Sequence, residues 1–242
     1  MNAILPGVWD LAPPDAFVHC YLWQWDEGLT LIDTCLPGHH QAILEAIRQL
    51  GHSPQDVKRI VITHGDIDHM GSARALQRIT GAPVACHAVE KAFLENPRQR
   101  KPSRTLAGLA LRPFYALAHL LPRFRVEPVI PDQLLVDGEK LPEGLTVIHT
   151  PGHTPGHISL LDPERRILFT GDALHNRGGK LQPPPPIFTP DMDNAIRSIW
   201  KLAHKYGKQI DAALFGHGPP ILHDAGERIR ALADELYQAD RH

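Results

Sequence analysis

The sequence predicts an α/β protein, and three observations predict it. Strand-like and helix-like segments alternate along the chain, the pattern of sheets covered by helices. Glycine beside histidine or aspartate recurs where strand-like runs end, and strand ends are where α/β folds place functional groups. The 242 residues are 43% apolar and 21% charged, enough to bury a sizeable core without disulfide staples.

The elements follow in order. Phe17 to Trp25 and Leu29 to Asp33 read as two strands joined at Asp26-Glu27-Gly28. Pro37-Gly38 interrupts, and the apolar spacing from His39 to Leu50 gives a helix. Arg59 to Thr63 is a short apolar strand, Met70 to Thr80 a helix and Pro83 to Cys86 a strand. Thr146 to His149, Ile158 to Asp162 and Ile167 to Thr170 are strand-like. Thr189-Pro190-Asp191 offers a hydroxyl cap, a first-turn proline and a first-turn acid, so a helix is expected from there to about Tyr206. Ile210 to Phe215 is a strand and His223 to Leu236 a closing helix. No linker divides the chain, so a single domain over residues 1–242 is expected. Two segments break the rhythm. Pro183 to Pro186 must be a rigid extended loop. The stretch from Arg98 to Arg125 holds seven basic residues and no acid, and within it Leu106 to Leu121 is apolar and helical in composition. It reads as an insertion over about 96–131.

Lys plus Arg is 25 and Asp plus Glu is 27, a net charge of −2, which excludes a nucleic-acid binder working through bulk charge. No apolar run reaches membrane-spanning length, so no stable membrane insertion is expected. The N-terminus has no basic n-region followed by an apolar stretch, and a cytoplasmic location is expected. Cys20, Cys35 and Cys86 are too few and too scattered for a disulfide framework or a cysteine zinc site.

Sixteen histidines are unusual, and six of them fall in three short motifs. Thr63-His64-Gly65-Asp66-Ile67-Asp68-His69-Met70-Gly71 sets four ligand-type side chains between a strand and a helix. Imidazole and carboxylate together suit zinc, iron or manganese. His149-Thr150-Pro151-Gly152-His153-Thr154-Pro155-Gly156-His157 follows a strand, Thr170-Gly171-Asp172 ends one, and Phe215-Gly216-His217-Gly218 ends another. A lone Gly-Asp or Gly-His is more often a turn, but the four in this order make a strong signal.

In that order the motifs resemble the metallo-β-lactamase-fold hydrolase superfamily. Its pattern is an early Asp, His-x-His-x-Asp-His, a His in a Pro-Gly-His loop, a strand-terminal Asp and a final His. Leu31-Ile32-Asp33-Thr34 resembles the first element, and the resemblance spans about Val18 to Pro219. It implies an αββα four-layer sandwich with two divalent metal ions, zinc first among them, with iron or manganese also accommodated. It implies His64, Asp66 and His153 at one metal, Asp68, His69 and His217 at the other, and Asp172 bridging. Asp33 would steady the metal loops rather than bind, and His149 and His157 would be supporting residues. The pattern's second His is Asp66 here. Two divalent ions set against Asp66, Asp68, Asp172 and a hydroxide come to zero, where the usual pattern leaves +1, so iron or manganese is better tolerated. His175 lies three residues past Asp172, where the family's homoserine-lactone-cleaving members place a Tyr, and could donate a proton or hydrogen bond.

The implied activity is a dinuclear metal-dependent hydrolase of a small-molecule ester, lactone or thioester, in which a metal-bridging hydroxide attacks the carbonyl. Asp68, Asp172 and His175 are its candidate catalytic residues. No Ser or Cys sits in a nucleophile elbow. A β-lactam or phosphodiester hydrolase of the same fold is an alternative, and Asp66 motivates a di-iron oxidoreductase related to the flavodiiron group. The insertion reads as a substrate lid carrying Phe114, Tyr115 and Leu117, as a packing element or homodimer contact, or as a membrane-surface helix.

Overall fold

The computed structural model describes residues 1–118, 121 and 124–239, without the side chains of residues 114–116, 118 and 239. The aromatic side chains of Phe114 and Tyr115, and Arg123, therefore lie outside the described residues. The chain divides into two compact units. The first is Met1–Lys101 with Leu111–Leu135, and the second is Pro102–Ala110 with Val136–His242.

The first unit holds a seven-stranded sheet in chain order: β1 (Asn2–Leu5), β2 (Val8–Asp10), β3 (Tyr21–Trp25), β4 (Gly28–Ile32), β5 (Val57–Val61), β6 (Val84–His87) and β7 (Gln133–Leu135). β1 to β4 pair antiparallel and β4 to β7 pair parallel. Between the parallel strands lie α1 (His40–Gln49), α2 (Ile67–Met70), α3 (Ala73–Thr80) and α4 (Lys91–Glu95). α1 buries Ile43, Leu44, Ala46 and Ile47, one face at helical spacing. These pack with Leu22, Leu29, Leu31, Ile60, Ile62 and Val84 of the sheet.

The expected 70–80 helix is broken at Gly71-Ser72 into α2 and α3. The cause is a close backbone approach: a Cβ on Gly71 would lie 2.4 Å from both the Ile67 carbonyl oxygen and the Pro37 nitrogen. Ser72 Oγ then donates to the Leu36 carbonyl at 2.7 Å. The expected 17–25 strand begins only at Tyr21, and the hairpin β1–β2 and strand β7 had no clear alternating pattern to announce them.

The second unit holds β8 (Thr146–His149), β9 (Ile158–Asp162), β10 (Ile167–Phe169) and β13 (Ala212–Leu214) in the order β13-β10-β9-β8, plus a hairpin of β11 (His175–Arg177) and β12 (Lys180–Gln182). Its core joins Leu161, Leu168 and Phe215 to Ile199, Leu202 and Ile229. The last two helices are α6 (Met192–Lys201) and α7 (Ala225–Ala239). The cap of α6 is Asp191, not Thr189: Asp191 Oδ1 accepts from Asn194 N at 3.0 Å. Thr189 is engaged elsewhere, as its hydroxyl donates to the Pro185 carbonyl at 2.9 Å.

The insertion forms α5 (Leu106–Ala118), which continues through Pro113 and exposes Leu106, Leu109 and Leu117. Among the described residues, no helix is long and apolar enough to cross a membrane. Cys20, Cys35 and Cys86 are free and buried.

Gly71→Ala should force the 36–37 backbone and α2 apart. The expected loss is about 1–3 kcal/mol, read as a fall in melting temperature on thermal denaturation.

Candidate metal centre

In the first unit, β5 runs into Thr63 and the chain then turns into α2, which sets His64, Asp66, Asp68 and His69 on one short segment. The anchor of this segment is Asp33, at the end of β4 in the left-handed region (φ 61°). Its buried carboxylate accepts from Thr63 N at 2.8 Å, Thr63 Oγ1 at 2.7 Å and His69 Nδ1 at 2.8 Å. Thr34, the next residue, donates both N–H and hydroxyl to the His69 carbonyl at 2.7 and 2.8 Å.

These bonds fix where the imidazole protons sit. His69 Nδ1 must carry its proton to meet the carboxylate, so the lone pair is on Nε2. Thr63 has spent its hydroxyl proton on Asp33, so its oxygen accepts from His64 Nδ1–H at 3.0 Å, and the His64 lone pair is also on Nε2. The two rings lie 4.0 Å apart, and His64 Nε2 is 3.7 Å from Asp66 Oδ2. On the other side of the loop, Gly65 N donates to Glu90 Oε1 at 2.8 Å. Arg100 grips Asp66 with both ends: Nε donates to Oδ1, and Nη2 donates to Oδ2 at 3.0 Å. Asp68 is half-buried within α2.

In the second unit, Asp172 is the hub. Its Oδ2 lies 3.3 Å from His175 Nε2, 3.4 Å from His217 Nε2 and 3.6 Å from His153 Nε2. One donor atom each from Asp172, His175 and His217 fall within 4.8 Å of one another. The His153 tautomer is fixed by the same device as that of His64. The Thr189 hydroxyl proton goes to Pro185, so its oxygen accepts from His153 Nδ1–H at 3.3 Å, leaving the lone pair on Nε2. Gly152 before it has φ 136°, and a Cβ there would sit 2.2 Å from Ala195 N, so only glycine fits the loop against α6.

His157 does not donate to a metal, because both its nitrogens are used. Asp172 N–H donates to His157 Nε2 at 2.8 Å, and His157 Nδ1–H donates to Thr150 Oγ1 at 2.8 Å. Thr150 donates to Ser159 Oγ at 3.2 Å, and Ser159 donates to the Thr170 carbonyl at 2.9 Å. This one-way chain clamps the Thr170–Asp172 turn that carries the hub. His149, also expected to be a supporting residue, sits outside it, with Nε2 2.9 Å from the Pro155 carbonyl. His175 is in β11 rather than a plain loop and is 4% exposed. Burial pushes it below its ordinary pKa, against the opposing pull of Asp172.

Each unit thus gathers its own share of the residues singled out from sequence. The supporting set was less visible. Thr63, Thr150, Ser159 and Thr189 are common residue types whose role depends on which proton each hydroxyl has already given away. Arg100 was one arginine in a basic stretch. The donor chemistry fits a divalent cation: imidazole nitrogens whose lone pairs are turned out by their partners, set beside carboxylate oxygens.

A family model for the metallo-beta-lactamase superfamily matches residues 13–217. The chain belongs to that superfamily. It is 32% identical over 224 residues to "Probable metallo-hydrolase YflN" of Bacillus subtilis strain 168, covering 86% of this chain and 81% of the relative. It is 24% identical over 229 residues to an N-acyl homoserine lactonase of a Bacillus sp, covering 84% and 82% of the two. The solved structure of a metallo-beta-lactamase family protein from Thermus thermophilus matches with TM-score 0.73 and 29% identity, over 99% of this chain and 81% of that one. Divalent metal ions and hydrolysis belong to this family, and the α/β class expected from sequence holds.

Thr189→Val should free the His153 ring to place its proton on Nε2. Metal affinity should fall about 10- to 100-fold, while Thr189→Ser, which keeps the hydroxyl, should stay near wild type. Titration of the apo protein with zinc reads this directly.

Proposed function

We propose that the chain is a dinuclear metal-dependent hydrolase of an ester, lactone or thioester. The observation that carries the reading is the convergence of three imidazole Nε2 atoms on one oxygen of Asp172. His64, Asp66 and His153 would hold one divalent ion, Asp68, His69 and His217 the other, and Asp172 would be shared between them. Ions held there supply Lewis acidity for a carbonyl and bring the pKa of bound water towards neutrality. Zinc suits the imidazole-rich donors best, with iron or manganese as the alternatives.

The protein's own residues do the rest. Thr63, Thr189 and Asp33 keep the ligand imidazoles in the tautomer that presents Nε2. Asp68 and Asp172 provide the anionic side of the site and orient the attacking water. His175 holds a proton beside Asp172, ready for the departing oxygen or sulfur. Both its ring nitrogens are buried with no hydrogen-bond partner among the described residues, so neither proton position is fixed by a neighbour. The exposed Leu106, Leu109 and Leu117 of α5 offer apolar surface for the acyl part of a small substrate. Arg100, at the base of the same insertion, ties it to the first metal-binding motif. Likeness to a lactonase favours carbonyl chemistry over phosphodiesters.

The test is a panel of lactones, thioesters, β-lactams and phosphodiesters offered to protein of measured metal content. Acyl substrates should be hydrolysed, with activity lost on chelation and restored by zinc. Activity confined to phosphodiesters or β-lactams, or unchanged after full chelation, would contradict the reading. In the same assay His175→Gln should lower kcat about 10²- to 10⁴-fold with metal content unchanged. A parallel loss of bound metal would make His175 a ligand instead of a proton donor.

A further inference from the structure

Asp66 is the one donor that departs from the imidazole expected at its position, and the structure gives it a guanidinium as its partner. Asp66 and Arg100 are each 7% exposed, and the guanidinium meets both carboxylate oxygens at once. A bidentate pair of this kind fixes the plane of the carboxylate as well as its charge. Each oxygen still keeps a second lone pair. Oδ2, which accepts from Arg100 Nη2, is also the oxygen 3.7 Å from His64 Nε2, so the arginine grip holds the carboxylate towards that imidazole.

The charge count shows what the pair achieves. Two divalent ions against Asp66, Asp68 and Asp172 leave +1. With an imidazole in place of Asp66 the same count leaves +2. Arg100, which stays protonated at any ordinary pH, adds one charge and returns the total to +2. The pair is buried and within contact distance, so the compensation is screened little by solvent or salt.

We propose that Arg100 is a positioning residue that sets metal selectivity: it holds the Asp66 carboxylate towards His64 and cancels its charge, so that the site treats metals as an imidazole site would. This rests on the reading of Asp66 as a metal donor. Without Arg100 the donor set is more anionic and harder, which favours manganese over zinc. With an imidazole at position 66, the buried Arg100 guanidinium loses the carboxylate it grips at two points.

The experiment reloads chelated protein with equal, limiting zinc and manganese and measures bound metal by mass spectrometry, alongside the melting temperature of each apo protein. Arg100→Gln should shift the bound ratio about tenfold towards manganese, and Arg100→Lys, which keeps the charge but not the two-point grip, should fall between. Asp66→His should lower the apo melting temperature by removing the carboxylate that the buried guanidinium pairs with. Asp66→His with Arg100→Gln should recover both the melting temperature and a zinc-selective ratio, a rescue that a purely structural arginine would not give. If Arg100→Gln fails to fold, the Lys variant and the double variant still decide. An unchanged metal ratio in Arg100→Lys and Arg100→Gln, with Asp66→Asn losing one ion, overturns the proposal and leaves Asp66 a ligand. Two ions bound normally by Asp66→Asn overturn both.

Discussion

The carboxylate of Asp33 is the interaction on which the first unit's His-Asp motif depends. It accepts three hydrogen bonds, from the Thr63 backbone, the Thr63 hydroxyl and His69 Nδ1. Through them it ties the end of β4 to the loop after β5 and determines the protonation of two rings. The His69 ring is set directly. The His64 ring is set at one remove, because Thr63 can accept only after its own proton has gone to Asp33. Asp33 occupies a left-handed backbone conformation, as does Cys35 two residues on, and Thr34 between them closes onto the His69 carbonyl. Strained backbone held in place by hydrogen bonds is typical of a functional site.

The second unit solves the same problem with different residues. The proline run ending at Pro186 presents the Pro185 carbonyl to Thr189, and Thr189 in turn receives the proton of His153. The chain from Asp172 N–H through His157, Thr150 and Ser159 to Thr170 has a single direction, because each hydroxyl accepts from one neighbour and donates to the next. Such a chain keeps the hub carboxylate in place without spending any of its oxygens. In both units the protein thus decides which nitrogen or oxygen is left for a cation by giving the neighbouring polar atoms their own partners. Side chains oriented in this way would leave little to be ordered when a cation arrives.

Much of this was legible in the sequence, and the reason is chemical. Histidine and aspartate at strand ends beside glycine are few in kind and fixed in spacing, so His64, Asp66, Asp68, His69, His153, Asp172 and His217 can be singled out as candidate ligands. The family followed from their order and the α/β class from the alternation of strands and helices, and the match over residues 13–217 bears the family out. Elements with strong apolar periodicity, such as α1, were found to within a residue or so. The break between α2 and α3 was not, because it arises from the close approach of the Pro37 backbone, a tertiary contact with no local signal. The α6 cap was misplaced for a similar reason: Thr189-Pro190-Asp191 is a good start by local rules, but Thr189 is claimed by His153 and Pro185. Arg100 was hidden by its neighbours, since a basic stretch does not reveal which guanidinium turns inward. The part of the site that sequence does not show is the hydroxyl and guanidinium layer behind the ligands.

Whether hydrogen bonds behind His69 fix which of its nitrogens is offered to a cation is tested by zinc binding to Asp33→Asn. Asparagine is nearly the same size, but it presents an amide donor in place of one carboxylate oxygen. With Oδ1 still accepting from Thr63 N, the amide takes the place of Oδ2, faces both Thr63 Oγ1 and His69 Nδ1, and moves the His69 ring proton to Nε2. The variant should be folded, with a melting temperature within several degrees of wild type, and its zinc affinity should be weaker by about 10- to 100-fold. Nitrogen-resolved NMR of the His69 ring in the apo protein should show the proton moved from Nδ1 to Nε2. Wild-type zinc affinity together with an unmoved His69 proton would contradict this role of Asp33.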